Sequence, residues 1–488
     1  MSCQEPSDSE KALPPPSSST ASSISDIEEH SPGYDAPTLQ KCLVVFVTSF
    51  VTLTGCFSST SLMSAATQIA DEFHSTPDVV NASNAGLLMT MGLSNFIWGP
   101  LIPLIGRLYA WNSCILLLLV WTAAASVAPN LPSFIVFRVL SGFQGTFFHV
   151  TGQAILAEFF PPVKRGTATG FFLSGTVLGP PLGPLVAGII TQYTSWRVIL
   201  YLQCGMITLG LCLSLLLLGR GGKPAKMQNP SIRDIVRAYN PMRIIRLLRY
   251  PNLLLTDFAA GLLAFSQYGL LASPRHIFLS EYHLESPLTS GLFFLSPATG
   301  LLLGTLIGGR FSDRTVRKWI QRRNGLRLPQ DRLRSGFPSW FILIPIAYLM
   351  FGWGVQYQIG GLAWPIVTAF FTSVGILSAF AGVNTYCAEV FPNSRQEAIA
   401  TKYVIQYVFS ALASGVSIPL IDGVGVGMAC TISVIFVYIG GSLCAVTAIY
   451  GITMQNWVDS KWPKRDTLTE KRNDNCDGVA LAHVISAP

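Results

Sequence analysis

Charge is scarce in this chain of 488 residues. Asp, Glu, Lys and Arg together make up 12%, while half of all residues are hydrophobic. A soluble domain carries about 25% charge, so no globular core could absorb runs this apolar. Catalytic signatures are missing too: there is no HExxH, no nucleophile elbow, no P-loop and no polar segment large enough to form an enzymatic domain. The ten cysteines contain no CxxC and lie mostly inside apolar runs, which argues against a disulfide framework or a metal site. No cofactor is expected. The net charge of +7 does not point to nucleic acid, because the basic residues sit beside the apolar runs.

What is present is lipid-soluble helix. A ~30 Å hydrocarbon layer needs about 20 apolar residues at ~1.5 Å per residue. Twelve segments meet that length, at 41–63, 80–104, 112–129, 132–157, 167–190, 196–219, 252–274, 289–309, 339–356, 361–386, 400–421 and 427–451. The expected fold is therefore an all-α membrane protein with twelve transmembrane helices. Loop 219–250 holds eight Lys or Arg against one acid, and loop 310–338 nine against two. Loops of opposite parity are nearly free of cations. The positive-inside bias then puts both termini in the cytoplasm. Residues 1–40 are Ser- and Pro-rich with seven acids and one Lys, and lack an apolar stretch that could act as a cleaved signal. They are expected to form a disordered cytoplasmic tail, and 452–488 a second, polar cytoplasmic tail.

The chain repeats itself. Ala157-Glu158-Phe159-Phe160-Pro161 after span four returns as Ala388-Glu389-Val390-Phe391-Pro392 after span ten. The loop after span two, with Gly99-Pro100-Leu101 and Gly106-Arg107, matches the loop after span eight, with Gly309-Arg310-Phe311-Ser312-Asp313-Arg314 and Arg317-Lys318. The expected organisation is two parallel six-helix pseudo-repeats, 41–219 and 251–451, joined by a basic linker 220–250. Such halves form a transporter architecture, because rocking one against the other exposes a midplane site to each side in turn.

These residues resemble the major facilitator superfamily over about 41–451. The two loops are similar to that family's GxLaDRxGRK motif, although Pro103 stands where the first copy should hold an acid and Leu108 where a cation is usual. The resemblance implies a cytoplasmic latch between the halves, carried by Arg107, Asp313, Arg314 and Arg317. Span five contains Gly175-x-x-x-Gly179-Pro180-Pro181-Leu182-Gly183-Pro184, which looks like the antiporter motif of drug/proton exporters. Glycine lets helix backbones approach closely and proline loosens the ladder, so this face should be deformable. Ser195-Trp196-Arg197, Tyr250-Pro251-Asn252-Leu253 and Asp331-Arg332-Leu333-Arg334 resemble a fungal group of drug/proton antiporter-like exporters. The sugar-porter signature PESPR is absent after span six, and so is the LPET-like ending common among drug exporters. The resemblance implies proton-coupled export of a small organic molecule such as an organic acid, secondary metabolite or drug. A nutrient or carboxylate uptake symporter is the alternative within the same fold. Partners are then the bilayer, a small molecule and protons, with the protein monomeric, in the plasma membrane or else the vacuolar membrane.

Residues that could carry transport fall into stripes. At 100° per residue, Arg138, Gly142, Gly145, His149 and Gly152 share one face of span four. An arginine inside the bilayer normally faces a cavity or partner. The bland reading is a structural pair with a backbone carbonyl. Span one shows Thr54, Ser58, Ser61, Ala65 and Gln68, and span seven shows Asp257, Gly261, Ala264 and Tyr268. In the family, helices one, four, seven and ten surround the cavity; ordinary interhelix packing would also explain stripes of small residues. Asp257 is the acid placed well inside a span, where leaving water favours protonation, as a proton carrier requires. Its alternative is an interfacial acid near the cytoplasmic mouth. Arg138 and Asp257 differ in depth and are not expected to pair, whereas a His149/Asp257 relay is conceivable. Lys402, at the start of span eleven, is expected to snorkel to the interface.

Overall fold

The computed structural model describes residues 32–160, 162–218, 242–284 and 286–462. Residues 1–31 of the first tail, 220–241 of the linker and 463–488 of the second tail lie outside the described residues. Twelve long helices follow one another: α1 Thr38–Glu72, α2 Pro77–Trp98, α3 Arg107–Ser126, α4 Leu131–Phe159, α5 Ala168–Tyr193, α6 Arg197–Leu217, α7 Pro251–Ala272, α8 Pro287–Arg322, α9 Asp331–Gln356, α10 Ala363–Glu389, α11 Arg395–Val424 and α12 Val426–Lys461. No strand occurs among the described residues. Eleven of these helices are long and apolar enough to cross a membrane. The exception, α2, matches them in length at 22 residues but is diluted by Asn81, Asn84, Ser94 and Asn95. Asn84, Ser94 and Asn95 are buried inside the bundle, so its polarity serves neighbouring helices and is not solvent-facing.

Two helices of the first six are interrupted. In α1 the α-helical ladder stops after Ser58 and resumes at Ala66, and in α4 it breaks between Gly142 and Gly145. Side chains cover the backbone this exposes: the Trp98 indole donates to the Phe143 carbonyl at 3.0 Å, and Ser59 Oγ to the Cys56 carbonyl at 2.6 Å. The cost of unpaired polar groups in an apolar interior makes such cover obligatory.

α1 packs on α5, α6 and α4, and α3 on α4 and α6; after the linker, α7 packs on α11 and α12, α8 on α10, and α9 on α10 and α12. The first six helices touch the last six chiefly where α2 meets α11 and α5 meets α8. Substantial buried clusters form within each set, while another joins Leu87, Met91 and Val150 to Tyr268, Tyr403 and Tyr407 across the divide. Outside, large apolar side chains such as Leu216, Leu306, Phe371 and Ile449 are exposed, as lipid contact requires.

The stretch 310–338, expected as a loop, is largely helical. α8 continues to Arg322, and Asp331–Arg334 begins the next helix. α12 likewise runs to Lys461, ten residues into the expected tail.

Candidate functional site

The antiporter-like segment of α5 is a packing face, and its chemistry is specific. A Cβ added at Gly175 would strike Ser49, one at Gly179 would strike Cys56, and one at Gly183 would lie 2.6 Å from Thr60 Oγ1 and 2.9 Å from the Ser61 backbone nitrogen. All these partners belong to α1. Pro184 has no N–H to offer the Pro180 carbonyl four residues back. Thr60 supplies the missing donor: its Oγ1 donates to the Pro180 oxygen at 2.6 Å, and Ser64 Oγ donates to the Pro184 oxygen at 3.2 Å. Thr60, in the interrupted part of α1, thus lends the donor that Pro184 lacks. Ser58 and Ser61 are both buried here, and Ser61 Oγ has no hydrogen-bond partner.

The polar stripe of α4 divides into two uses. Its glycines accommodate neighbours: a Cβ on Gly142 would meet Thr90 and the Leu87 carbonyl, one on Gly145 would meet Met91, and one on Gly152 would meet Phe172. Its polar members reach further. Arg138 is buried and donates from Nη2 to Asn84 Oδ1 at 2.7 Å; Asn84 Nδ2 in turn donates to Ser414 Oγ at 3.1 Å. This chain runs from α4 through α2 to α11, joining the two sets of helices. The partner of Arg138 is thus an amide on the neighbouring helix. No ion pair forms between Arg138 and Asp257.

His149 sits at the contact between the two sets. Its Nδ1 is 3.3 Å from the Gly145 carbonyl oxygen and its Nε2 3.3 Å from Cys56 Sγ. A carbonyl only accepts, so this geometry places the ring proton on Nδ1 and leaves Nε2 to accept from the thiol. The ring packs 4.9 Å from Tyr403 and 6.3 Å from Tyr407, both on α11, and Tyr407 lies 6.4 Å from Tyr268 on α7. Three tyrosines and a histidine therefore fill the space between the halves.

Asp257 lies within α7 and is completely buried, which rules out the solvated interfacial acid. The Cys387 thiol on α10 donates weakly to Oδ1 at 3.7 Å, and Oδ2 has no hydrogen-bond partner. Thr401 and Lys402 of α11 complete the surroundings. Lys402 corrects an expectation. It does not snorkel outward: it is 2% exposed, donates from Nζ to Asn384 Oδ1 at 2.6 Å, and lies 3.6 Å above the Tyr403 ring. Its charge acts on both His149 and Asp257, so the two candidate relay groups meet a common neighbour and make no direct hydrogen bond with each other. Asn84, Asn384, Cys387, Tyr403 and Tyr407 escaped the sequence argument. An uncharged polar residue in a span carries no signal until its partner is known.

The charged loop motif is also arranged differently from the expected latch. Arg107 pairs with Glu158 inside the first six helices. Asp313 pairs at 2.7 Å with Arg332, which also reaches Glu389 at 3.2 Å, all inside the last six. Glu158 of the first Ala-Glu segment thus pairs with its loop copy directly, while Glu389 of the second reaches Asp313 through Arg332. Arg314 and Arg317 are exposed and form no ion pair among the described residues.

Two cavities lie away from these groups. One of about 180 Å³ is lined by Ser64, Gln68, Asp71, Thr191, Arg275 and Pro287, and lies between the halves at the end opposite the basic loops. A groove of about 710 Å³ between α8 and α10 is lined mainly by apolar residues such as Leu292, Phe293, Ile366 and Phe371 and is remote from the polar groups.

The arrangement of α1 to α12 meets an independent match at this point: a family model for the Major Facilitator Superfamily aligns with residues 48–418. The chain belongs to that superfamily. Among curated relatives of this facilitator, the MFS-type transporter penM of Penicillium rubens is 26% identical, covering 77% of this chain and 78% of its own length. The efflux pump radE of Floropilus chiversii is 25% identical, covering 80% and 76%. The MFS antiporter QDR3 of Candida albicans is 21% identical, covering 82% and 76%. Solved structures agree on the fold. A bacterial homologue of the human lysosomal transporter Spinster, inward-facing and unoccupied, superposes with a TM-score of 0.59 at 13% identity, covering 86% of this chain and 99% of that one. The E. coli xylose transporter XylE in a partially occluded inward-open conformation gives 0.57 at 14% identity, covering 88% and 100%. This facilitator is a membrane transporter and not an enzyme.

Proposed function

We propose that this facilitator exports a small organic molecule across the plasma membrane in exchange for protons, by alternating access between the helix sets 41–219 and 251–451, with both termini cytoplasmic. The observation that carries the coupling is Asp257, a buried carboxyl group with one oxygen unpartnered, a thiol on the other and the Thr401 hydroxyl nearby. Such a group tolerates a proton well and negative charge poorly. A membrane potential adds ~2.3 kcal/mol per charge per 100 mV, which drives the return of a proton alongside the pH gradient. The α5 motif supports export over uptake, as do fungal relatives named as an efflux pump and an antiporter. With buried Asp331 paired to Arg323, Arg138 and Lys402 remain against Asp257 among the buried charges, which favours weak acids or neutral amphipaths as cargo.

The test has two parts. Comparing metabolites inside cells and in medium between a deletion strain and its parent identifies the cargo, which should accumulate inside the deletion strain. Flux of that compound is then followed in proteoliposomes under an imposed pH gradient, with Asp257→Asn and Arg138→Ala beside the unsubstituted protein. Flux against the direction of proton movement supports exchange; flux along it would establish a symporter. Unchanged proton-coupled flux in both variants would remove these residues from the mechanism.

A further inference from the structure

We infer that Lys402 is a movable counter-charge for Asp257, held away from it by Asn384 in the state seen here and transferred to it when Asp257 gives up its proton. The inference rests on the reading of Asp257 as a proton carrier and adds the group that makes the deprotonated state tolerable.

Asp257 lies six residues into α7 and Lys402 seven into α11, so each sits about 10 Å from the end of its helix at ~1.5 Å per residue. α7 and α11 pack directly against each other, which brings the two side chains to one level. They do not touch as an ion pair: no Lys402–Asp257 contact reaches 4.0 Å. The ammonium group is instead held from two sides, by Asn384 Oδ1 at 2.6 Å and by the face of Tyr403 at 3.6 Å. A neutral amide and a ring quadrupole solvate a buried cation without neutralising it. Across the gap, Asp257 Oδ2 has no partner although it is wholly buried.

A buried cation without its anion, beside a buried acceptor without its donor, is a costly arrangement if both are charged. It is a reasonable one if Asp257 is a neutral acid. Loss of the proton would leave a carboxylate with no donors beyond the Cys387 thiol and the neighbouring Thr401 hydroxyl. The nearest charge able to compensate it is Lys402, whose long stem allows Nζ to leave Asn384 and reach Oδ2. The remaining neighbours cannot do this. From α10 come Cys387, Tyr386 and Asn384, and from α11 Thr401, none of them cationic. α12 contributes Cys444 near Tyr386, and its acid Asp459 is occupied by Tyr250. His149 on α4 faces Lys402 and Cys56.

Moving Nζ also removes it from the face of Tyr403, whose ring packs at a tilt 4.9 Å from His149 in the other half. Proton release at Asp257 is thereby coupled to the contact between halves, which is what an exchanger must achieve. The balance of the step is simple: one proton leaves the Asp257 carboxyl group for water, and the Lys402 ammonium ion exchanges an amide acceptor for a carboxylate.

The experiment uses the full-length protein reconstituted in lipid, with protons as the probe. Infrared difference spectra taken across a pH jump report the protonated carboxyl stretch. A band lost in Asp257→Asn is assigned to Asp257. At one fixed pH, chosen so that the unsubstituted band stands below half its maximum, Lys402→Gln should at least double that band, because the counter-charge is gone. Asn384→Ala should at least halve it, because Lys402 is released toward Asp257. Lys402→Arg should stay within a factor of about two of the unsubstituted protein. If Asp257→Asn changes no carboxyl band, Asp257 is not a proton carrier and the underlying reading fails. If Asp257→Asn removes the band while Lys402→Gln and Asn384→Ala leave its amplitude unchanged, Asp257 stands and the exchange of Lys402 is overturned. Should Lys402→Gln not yield folded protein, Asn384→Ala decides alone.

Discussion

Replacing Gly188 with alanine should open the end of the protein opposite the basic loops. α5 and α8 touch there through Gly188 and Gly291: a Cβ on Gly188 would stand 2.6 Å from the Pro287 carbonyl oxygen and 2.8 Å from Gly291 Cα. Ordinary contact begins at 3.4 Å, so the methyl group is about 0.8 Å too close. Both obstructing atoms are backbone, and no rotamer change can move them. Overpacking of this kind costs ~1–3 kcal/mol. The penalty exists only while α5 and α8 are in contact, so it should shift the balance toward states in which they separate by roughly 5- to 150-fold. The other crossing, between α2 and α11, gives a control of opposite sign. A Cβ on Gly92 would lie 3.2 Å from the Val404 carbonyl oxygen, so alanine is nearly tolerated there while leucine is not. Hydrogen–deuterium exchange in lipid nanodiscs reads the outcome. Gly188→Ala should raise exchange in 184–195 and 286–294 while protecting 88–98 and 399–408, and Gly92→Leu should do the reverse. Uniform loss of protection would mean simple destabilisation, and an unchanged pattern in both variants would refute the assignment of these glycines as the touching points of the two halves.

Thr60→Val removes the donor that covers the Pro180 carbonyl and should cost ~1–3 kcal/mol, measured as a lower thermal midpoint in detergent; Thr60→Ser should recover most of it. Asn84→Ala leaves a buried guanidinium without its recorded side-chain partner and should lower the yield of folded protein sharply, whereas Asn84→Asp, which keeps an acceptor and adds a charge, should restore yield but slow transport by holding Arg138 too firmly. Arg332→Ala breaks contacts with Asp313, Glu389 and Ser312 together and should destabilise by ~1–3 kcal/mol, while Arg317→Ala, at an exposed side chain without an ion pair, should stay within ~0.5 kcal/mol in the same thermal assay.

Features that depend on local periodicity were legible in the sequence, and features that depend on a distant partner were not. Runs of apolar residues reveal a membrane helix because every backbone group is satisfied within the run. The stripe Arg138, Gly142, Gly145, His149, Gly152 was legible for the same reason, since helical angle is a local property. What its members touch was not. The glycines proved to receive Thr90, Met91 and Phe172, and the arginine an amide 54 residues away. The charged loop shows the same limit: its motif marks Asp313 as a charged partner, but Arg332, shared with Glu389, reaches it only after α8, α9 and α10 have packed. Lys402 shows the limit most clearly. Snorkelling was a sound expectation from its depth, because a stem of four carbons spans the ~10 Å from its position toward water only in part and usually bends to find it. Here the stem bends inward. Asn384 and Tyr403 offer an alternative to water at 2.6 Å and 3.6 Å, and the Lys402 charge acts on Asp257 nearby. A cation that accepts such solvation inside the bundle retains a carboxylate as its next-best partner, and that unequal choice is what a proton can switch.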